Sequence, residues 1–137
     1  MIRVAEQTGC DQPTVSVAMI AYNREPFIAQ AIESVLMQET AFVVELVIGE
    51  DCSTDGTRRI VQAYARKYPN VIRALLPEKN LGISRNYEAV WQACRGKYIA
   101  WLDGDDYWRS PQKIAKAGGL DGSQPALFHV RNEDPIR

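Results

Sequence analysis

Apolar positions along this chain recur at two alternating periods. Val15–Ala21 is a short, β-branched run behind Pro13 and predicts a buried strand ending at Tyr22–Asn23. Phe27, Ile28, Ala31, Ile32, Val35 and Leu36 then repeat at helical spacing, predicting a helix with Pro26 in its first turn that runs to about Gln38. Phe42–Ile48 reads as a second strand, terminated by the acids Glu50 and Asp51. Ser53, Thr54 and Asp55 offer capping oxygens for a second helix, with Ile60, Val61, Tyr64 and Tyr68 on one face and Arg66 and Lys67 in its last turn. Pro69 and Asn70 stop it. Val71–Leu76 is a third strand candidate, a turn-like stretch covers Pro77–Gly82, and a third helix carries Ile83, Tyr87, Val90, Trp91 and Cys94, with Gly96 placed to end it. Lys97–Leu102 is the fourth strand. Beyond Trp108 the pattern weakens to a short helix at Pro111–Ala117 and a final strand at Ala126–Val130.

Four alternations of strand and helix predict a mostly parallel sheet with right-handed crossovers and helices on both faces. Ligands of such sheets bind beyond the carboxyl ends of the strands, where the strand order reverses. The polar clusters Tyr22–Asn23, Glu50–Asp51 and Asp103–Asp106 all fall at such ends, so three separate elements deliver polar groups to one edge.

Size and charge narrow the ligand. A chain of 137 residues, 46% hydrophobic and 24% charged, supports one globular domain. Its 16 basic and 17 acidic residues leave a net charge of −1, so nothing global draws it to nucleic acid or to an anionic membrane. Cys10, Cys52 and Cys94 are far apart and lack metal-ligand spacing, as free thiols of a reducing compartment would be. No apolar run approaches the length of a transmembrane helix, and the expected location is cytoplasmic.

The chemistry concentrates in Tyr98–Trp108, where an apolar run ends in Asp103, Asp105 and Asp106 around Gly104. Three carboxylates held this closely repel one another unless a hard cation joins them or one is kept as an acid. The apolar flanks Ile99, Trp101, Leu102, Tyr107 and Trp108 place the cluster at the end of a buried strand rather than on a free loop tip. Asp51–Gly56 matches the first half of a calcium loop, but Arg58 and Gln62 stand where an apolar residue and a bidentate glutamate belong. Gly-x-Gly-x-x-Gly and Gly-x-x-x-x-Gly-Lys are both absent. Mg2+ or Mn2+ bridging carboxylates to a diphosphate would serve instead, since both take oxygen ligands and keep substrate phosphates in their shell.

Four blocks in order, Val15–Asn23, Glu50–Thr57, Asn80–Asn86 and Leu102–Asp106, resemble family 2 glycosyltransferases over roughly Pro13 to Ile114. The resemblance implies the GT-A fold, a three-layer α/β/α sandwich with a mostly parallel Rossmann-like sheet. Residues 1–12 would be an N-terminal extension, 13–117 the nucleotide-sugar-binding domain, and 118–137 an incomplete or irregular segment. It also implies a nucleotide-diphosphate-sugar donor, UDP-sugar by default, with Mn2+ or Mg2+ and an inverting transfer to a glycan, lipid or protein acceptor. Carried over by position, Ala21 and Tyr22 border the base and Asp51 accepts a hydrogen bond from its ring. Gly82 and Arg85 lie on the segment covering the nucleoside. Asp103 sits near ribose and metal, Asp105 is the direct metal ligand, and Asp106 is an additional acid.

Relatives continue into an acceptor-binding half that carries the catalytic base, and no segment after Trp108 matches it. Glu133 and Asp134 sit in a turn-like setting, and His129 lacks a partner in the sequence, so none is assigned that role. Peripheral membrane association through regions outside the chain is compatible with this pattern. Two other readings stay open at this level. One is a noncatalytic nucleotide-sugar-binding or interaction module that lacks the acceptor half. The other is a phosphatase-like enzyme with Asp103 as nucleophile and Asp105 as acid, disfavoured because Tyr107 stands where that motif carries Thr or Val.

Overall fold

The computed structural model describes residues 12–114 and the backbone of a strand at 128–130. The elements are β1 (Val15–Ala21), α1 (Ile28–Leu36), β2 (Val44–Glu50), α2 (Thr57–Lys67), β3 (Ile72–Leu75), α3 (Ile83–Ala93), β4 (Tyr98–Trp101) and β5 (Phe128–Val130). They build one sheet in the order β3-β2-β1-β4-β5. The first four strands pair in parallel, and β5 runs antiparallel to β4, with Ile99 opposite His129. Strand order reverses between β1 and β4, which are neighbours in space though distant in sequence.

Two apolar layers flank the sheet. Val15, Val17, Met19 and Ala21 of β1 face α1 and α2 in a core with Ile28, Ile32, Val35, Leu46, Ile48 and Val61. The alternate residue Ala18 joins Val47, Ile99, Val90 and Cys94 beneath α3. This is the period-2 alternation of a sheet covered on both faces. Burying each large core side chain such as Met19 or Ile48 contributes about 1.5–3 kcal/mol.

Several boundaries differ from the periodicity, each for a physical reason. Pro26 lies in the turn before α1, and Phe27 is 49% exposed rather than on the core face. β2 continues through Glu50 because that carboxylate is buried and compensated: Arg58 Nε donates to Glu50 Oε2 at 2.6 Å and Ser53 N donates to Oε1 at 2.9 Å. Glu50 is thereby a structural group and contributes nothing to the polar edge. Tyr68 follows the last residue of α2, and Ile83, expected on the inner face of α3, is 72% exposed. Gly96 does not end α3, which stops at Ala93. It lies against β1, where its N–H donates to Ser16 Oγ at 2.8 Å. Of the region expected to form a helix at Pro111–Ala117, the structure describes residues up to Ile114. Cys10, Ala126, Glu133 and Asp134 lie outside the described residues. Neither Cys52 nor Cys94 is in a disulfide, and Cys94 is buried.

Candidate functional site

Three strand tips converge on one cavity. After β4, Leu102 N donates to Ala18 O and Gly104 N to Ile20 O, both at 3.0 Å, so the acidic segment stays tied to β1 beyond the last assigned strand residue. Gly104 fits there because a Cβ would stand 3.0 Å from Ala21 Cβ and 3.1 Å from Ile20 O. The chain turns around this close approach and projects Asp103 and Asp105 to the same side. Asp106 turns away: its Oδ1 accepts from Tyr107 N at 2.8 Å, and its backbone N–H donates to Asp103 O at 3.0 Å. The three carboxylates are exposed, not semi-buried, since β4 ends at Trp101 and they occupy the loop beyond it. Trp108 returns to the core at 7% exposure, whereas Tyr107 is 38% exposed.

The β1–α1 and β2–α2 loops are stitched together beside this segment. Asn23 has a left-handed backbone, φ 54°. Its N–H donates to Ser53 Oγ at 2.9 Å, and its Oδ1 accepts from Thr54 N at 2.8 Å. Ser53 and Thr54 are therefore loop ties rather than helix caps. Arg24 N donates to Thr57 Oγ1 at 2.8 Å, and Glu25 Oε1 accepts from Gly56 N at 2.7 Å. The N-cap of α2 is Gly56, so none of the three expected residues caps it; Asp55 instead braces the turn before it, accepting from Thr57 N at 2.9 Å.

Asp51 is 3% exposed and anchors a third loop. Leu81 N donates to its Oδ1 at 2.6 Å and Gly82 N to its Oδ2 at 3.0 Å. Gly82 has φ 90°, a left-handed conformation that favours glycine. This loop launches α3, whose Asn86 donates to Gly49 O at 3.0 Å.

The resulting cavity, about 280 Å³, is lined by Ile20, Ala21, Tyr22 and Arg24 from the β1 end, Asp51 from β2, Ile83, Asn86 and Tyr87 from α3, and Asp103, Gly104 and Asp105. It lies at the reversal between β1 and β4, where this class of sheet binds ligands. Of the residues singled out by sequence, Ala21, Tyr22, Asp51, Asp103 and Asp105 meet here. Gly82 reaches the site through its bond to Asp51, while exposed Arg85 and Asp106 do not line the cavity.

Ile83, Arg24, Asn86 and Tyr87 were missed as lining residues. The available signal was position: Arg24 directly follows the Tyr22–Asn23 tip, and Tyr87 follows the Asn80–Asn86 block. Tyr87 Oη lies 3.5 Å from Asp103 Oδ1. Burial, then the Asp103 charge, pushes its phenol above the ordinary value, so it stays neutral. Arg24 Nε lies 3.4 Å from Asp105 Oδ2. Trp91 is partly buried and stacks on Trp101 with centroids 6.4 Å apart.

The three-layer α/β/α sandwich with a mostly parallel sheet and a cavity at its switch point is a GT-A fold. The match of residues 16–117 to the model of glycosyl transferase family 2 identifies the particular family, and the chain belongs to it. Chondroitin synthase of Escherichia coli is 39% identical over 95 residues, 69% of this chain and 13% of that protein. TarS of S. aureus (residues 1–349), solved in complex with UDP-GlcNAc, superposes with a TM-score of 0.64 at 28% identity, covering 76% of this chain and 30% of those 349 residues. The mannosyltransferase PcManGT of Pyrobaculum calidifontis, solved with GDP-Man and Mn2+, shares the fold at a TM-score of 0.68 and 22% identity, covering 85% of this chain and 34% of its own. Relatives from Mycobacterium tuberculosis match at 42% identity over 102 residues, and the chain spans 30% of their length. Among the described residues, no helix is long and apolar enough to cross a membrane.

Proposed function

We propose that this chain holds the nucleotide-diphosphate-sugar donor of an inverting, metal-dependent glycosyltransferase, with UDP-sugar as the default donor. The observation that carries this reading is the meeting of Tyr22, Asp51, Asp103 and Asp105 around one cavity at the strand-order reversal. The half-exposed Tyr22 ring and the Asp51 carboxylate flank the end suited to a base and ribose. Asp51 retains acceptor lone pairs after binding Leu81 and Gly82, because each carboxylate oxygen carries two.

The donor set fits a hard cation. Asp103 and Asp105 present exposed carboxylate oxygens to one cavity, and Asp105 already sits beside a guanidinium. Among the described residues, no group of three or more acidic, His or Cys side chains gathers into a metal cluster. Asp103 and Asp105 are the oxygen donors that would hold Mg2+ or Mn2+, ions that complete their shells with water and substrate phosphate. Bound there, the cation would neutralise the diphosphate and stabilise it as a leaving group.

Without a cation the carboxylates repel a diphosphate. Two like unit charges 4 Å apart cost about 1 kcal/mol in bulk water and about 4 kcal/mol near a protein surface. Inversion further needs a base in hydrogen-bond reach of the acceptor hydroxyl. The reading assigns that group to the acceptor half of the enzyme, with a glycan, lipid or protein as acceptor.

Calorimetric titration of UDP with and without Mn2+ tests this. Mn2+ is expected to strengthen UDP binding, and Asp105→Ala to abolish that strengthening without weakening metal-free binding, since one repelling carboxylate is gone. Binding indifferent to both Mn2+ and Asp105 would refute the assignment.

A further inference from the structure

Among the described residues lining the cavity, Arg24 is the one basic side chain, set against the acids Asp51, Asp103 and Asp105. Its placement is built in. The preceding Asn23 is locked in its left-handed conformation by Ser53 and Thr54, and Arg24 N is held by Thr57 Oγ1 at 2.8 Å. The guanidinium spans the lip of the cavity, with Nη1 donating to Asn23 O at 3.3 Å and Nε 3.4 Å from Asp105 Oδ2. Both partners are about half exposed, 44% and 46%, so water and salt screen the pair and it can exchange easily.

We propose that Arg24 is an exchangeable counter-cation of the donor site: it pairs with Asp105 in the unliganded chain, yields that carboxylate to the metal, and then donates to the diphosphate. This inference rests on the reading of Asp103 and Asp105 as the metal and diphosphate site. A guanidinium and a divalent cation on one carboxylate repel each other, so Arg24 opposes binding of metal alone. A diphosphate reverses the sign, because it gives the displaced guanidinium an acceptor whose geometry matches its planar donor fork. Arg24 therefore couples metal and nucleotide: each ligand prepares the site for the other.

The test uses the full chain and Arg24→Gln, an exposed substitution whose folding is checked by thermal melting. Mn2+ alone is titrated by the electron paramagnetic resonance of the free ion, and UDP is titrated calorimetrically at saturating Mn2+. Arg24→Gln is expected to bind Mn2+ alone about two- to fivefold more tightly, the scale of an exposed ion pair, and UDP with Mn2+ about tenfold more weakly, the scale of a charge-assisted hydrogen bond. Arg24→Lys, which keeps the charge without the fork, should hold Mn2+ like the parent and still weaken UDP. Unchanged or weaker Mn2+ binding in Arg24→Gln, or undiminished UDP binding, overturns the proposal. Were the parent itself to show no Mn2+-dependent UDP binding, the metal-site reading would fall and this inference with it. Intact parental binding matched by Arg24→Gln removes the role of Arg24 alone.

Discussion

Asp51 and Asp55 sit four residues apart and do different work, which local polarity does not distinguish. Asp51 is buried and spends both oxygens on the backbone of Leu81 and Gly82, so a pocket-lining carboxylate also sets the loop above it. Asp55 is exposed and holds the start of α2, accepting from Thr57 Oγ1 at 2.6 Å, Thr57 N at 2.9 Å and Glu25 N at 3.2 Å. What burial it has pushes its carboxyl up, but the hydrogen bonds from Thr57 and Glu25 outweigh this and hold it below the ordinary 3.8. Because the folded value lies below the unfolded one, the stabilisation is fully present above about pH 5 and is lost as pH falls through the folded value. Asp55→Ala should therefore cost about 1 kcal/mol at neutral pH, the net scale of such hydrogen bonds. Urea unfolding at a series of pH values should show the gap from the parent constant above about pH 5 and narrowing below about pH 4.

At the scale of elements, Gln38 shows how the chain beyond the acidic segment, at Ser110–Ile114, is fixed to α1. It lies just past α1, fully buried; its Nε2 donates to Ser34 O at 3.2 Å and to Ser110 O at 2.7 Å, and its Oε1 accepts from Ile114 N at 3.0 Å. Glu39 N adds a bond to Pro111 O at 2.7 Å. Gln38→Leu keeps the volume but strands a buried N–H and weakens two carbonyls. An unpaired buried group costs about 1–3 kcal/mol, so a loss of about 2–4 kcal/mol is expected from urea midpoints with an unchanged slope. The strand and helix order was readable because apolar periodicity reports which face is covered. Gln38 was readable only as a helix end, since its partners lie 72 and 76 residues away and leave no local pattern. The same limit displaced β2: Glu50 looks like a strand end, yet Arg58 compensates it inside the strand. The tips that form the cavity were legible because their polar residues interrupt apolar runs. Arg24 was not, because a lone arginine after a turn resembles any solvated charge.

Across the whole molecule, the two ends of the sheet separate stability from binding. At the amino ends of β1 and β2, buried Glu45 accepts from Ser16 Oγ at 2.5 Å and Arg95 N at 2.7 Å, and pairs with Arg73 and Arg95, both at 3.1 Å. Arg73 also donates to Ala93 O, closing β2, β3 and the end of α3 into one network. The opposite edge carries Asp103 and Asp105, exposed and held in place by backbone bonds to β1. Breaking a buried ion pair by removing one partner costs about 3–5 kcal/mol. Glu45→Ala should fall near the lower figure, because its arginines are 38% and 51% exposed and regain water. Its effect should stop there. Where the variant remains folded, Mn2+-dependent UDP affinity should match the parent, whereas Asp105→Ala should leave the urea midpoint in place and remove that affinity. Measuring both quantities on both variants checks the separation: a Glu45→Ala chain that stays folded yet loses UDP binding would mean that the amino-end network shapes the cavity through the full length of the sheet.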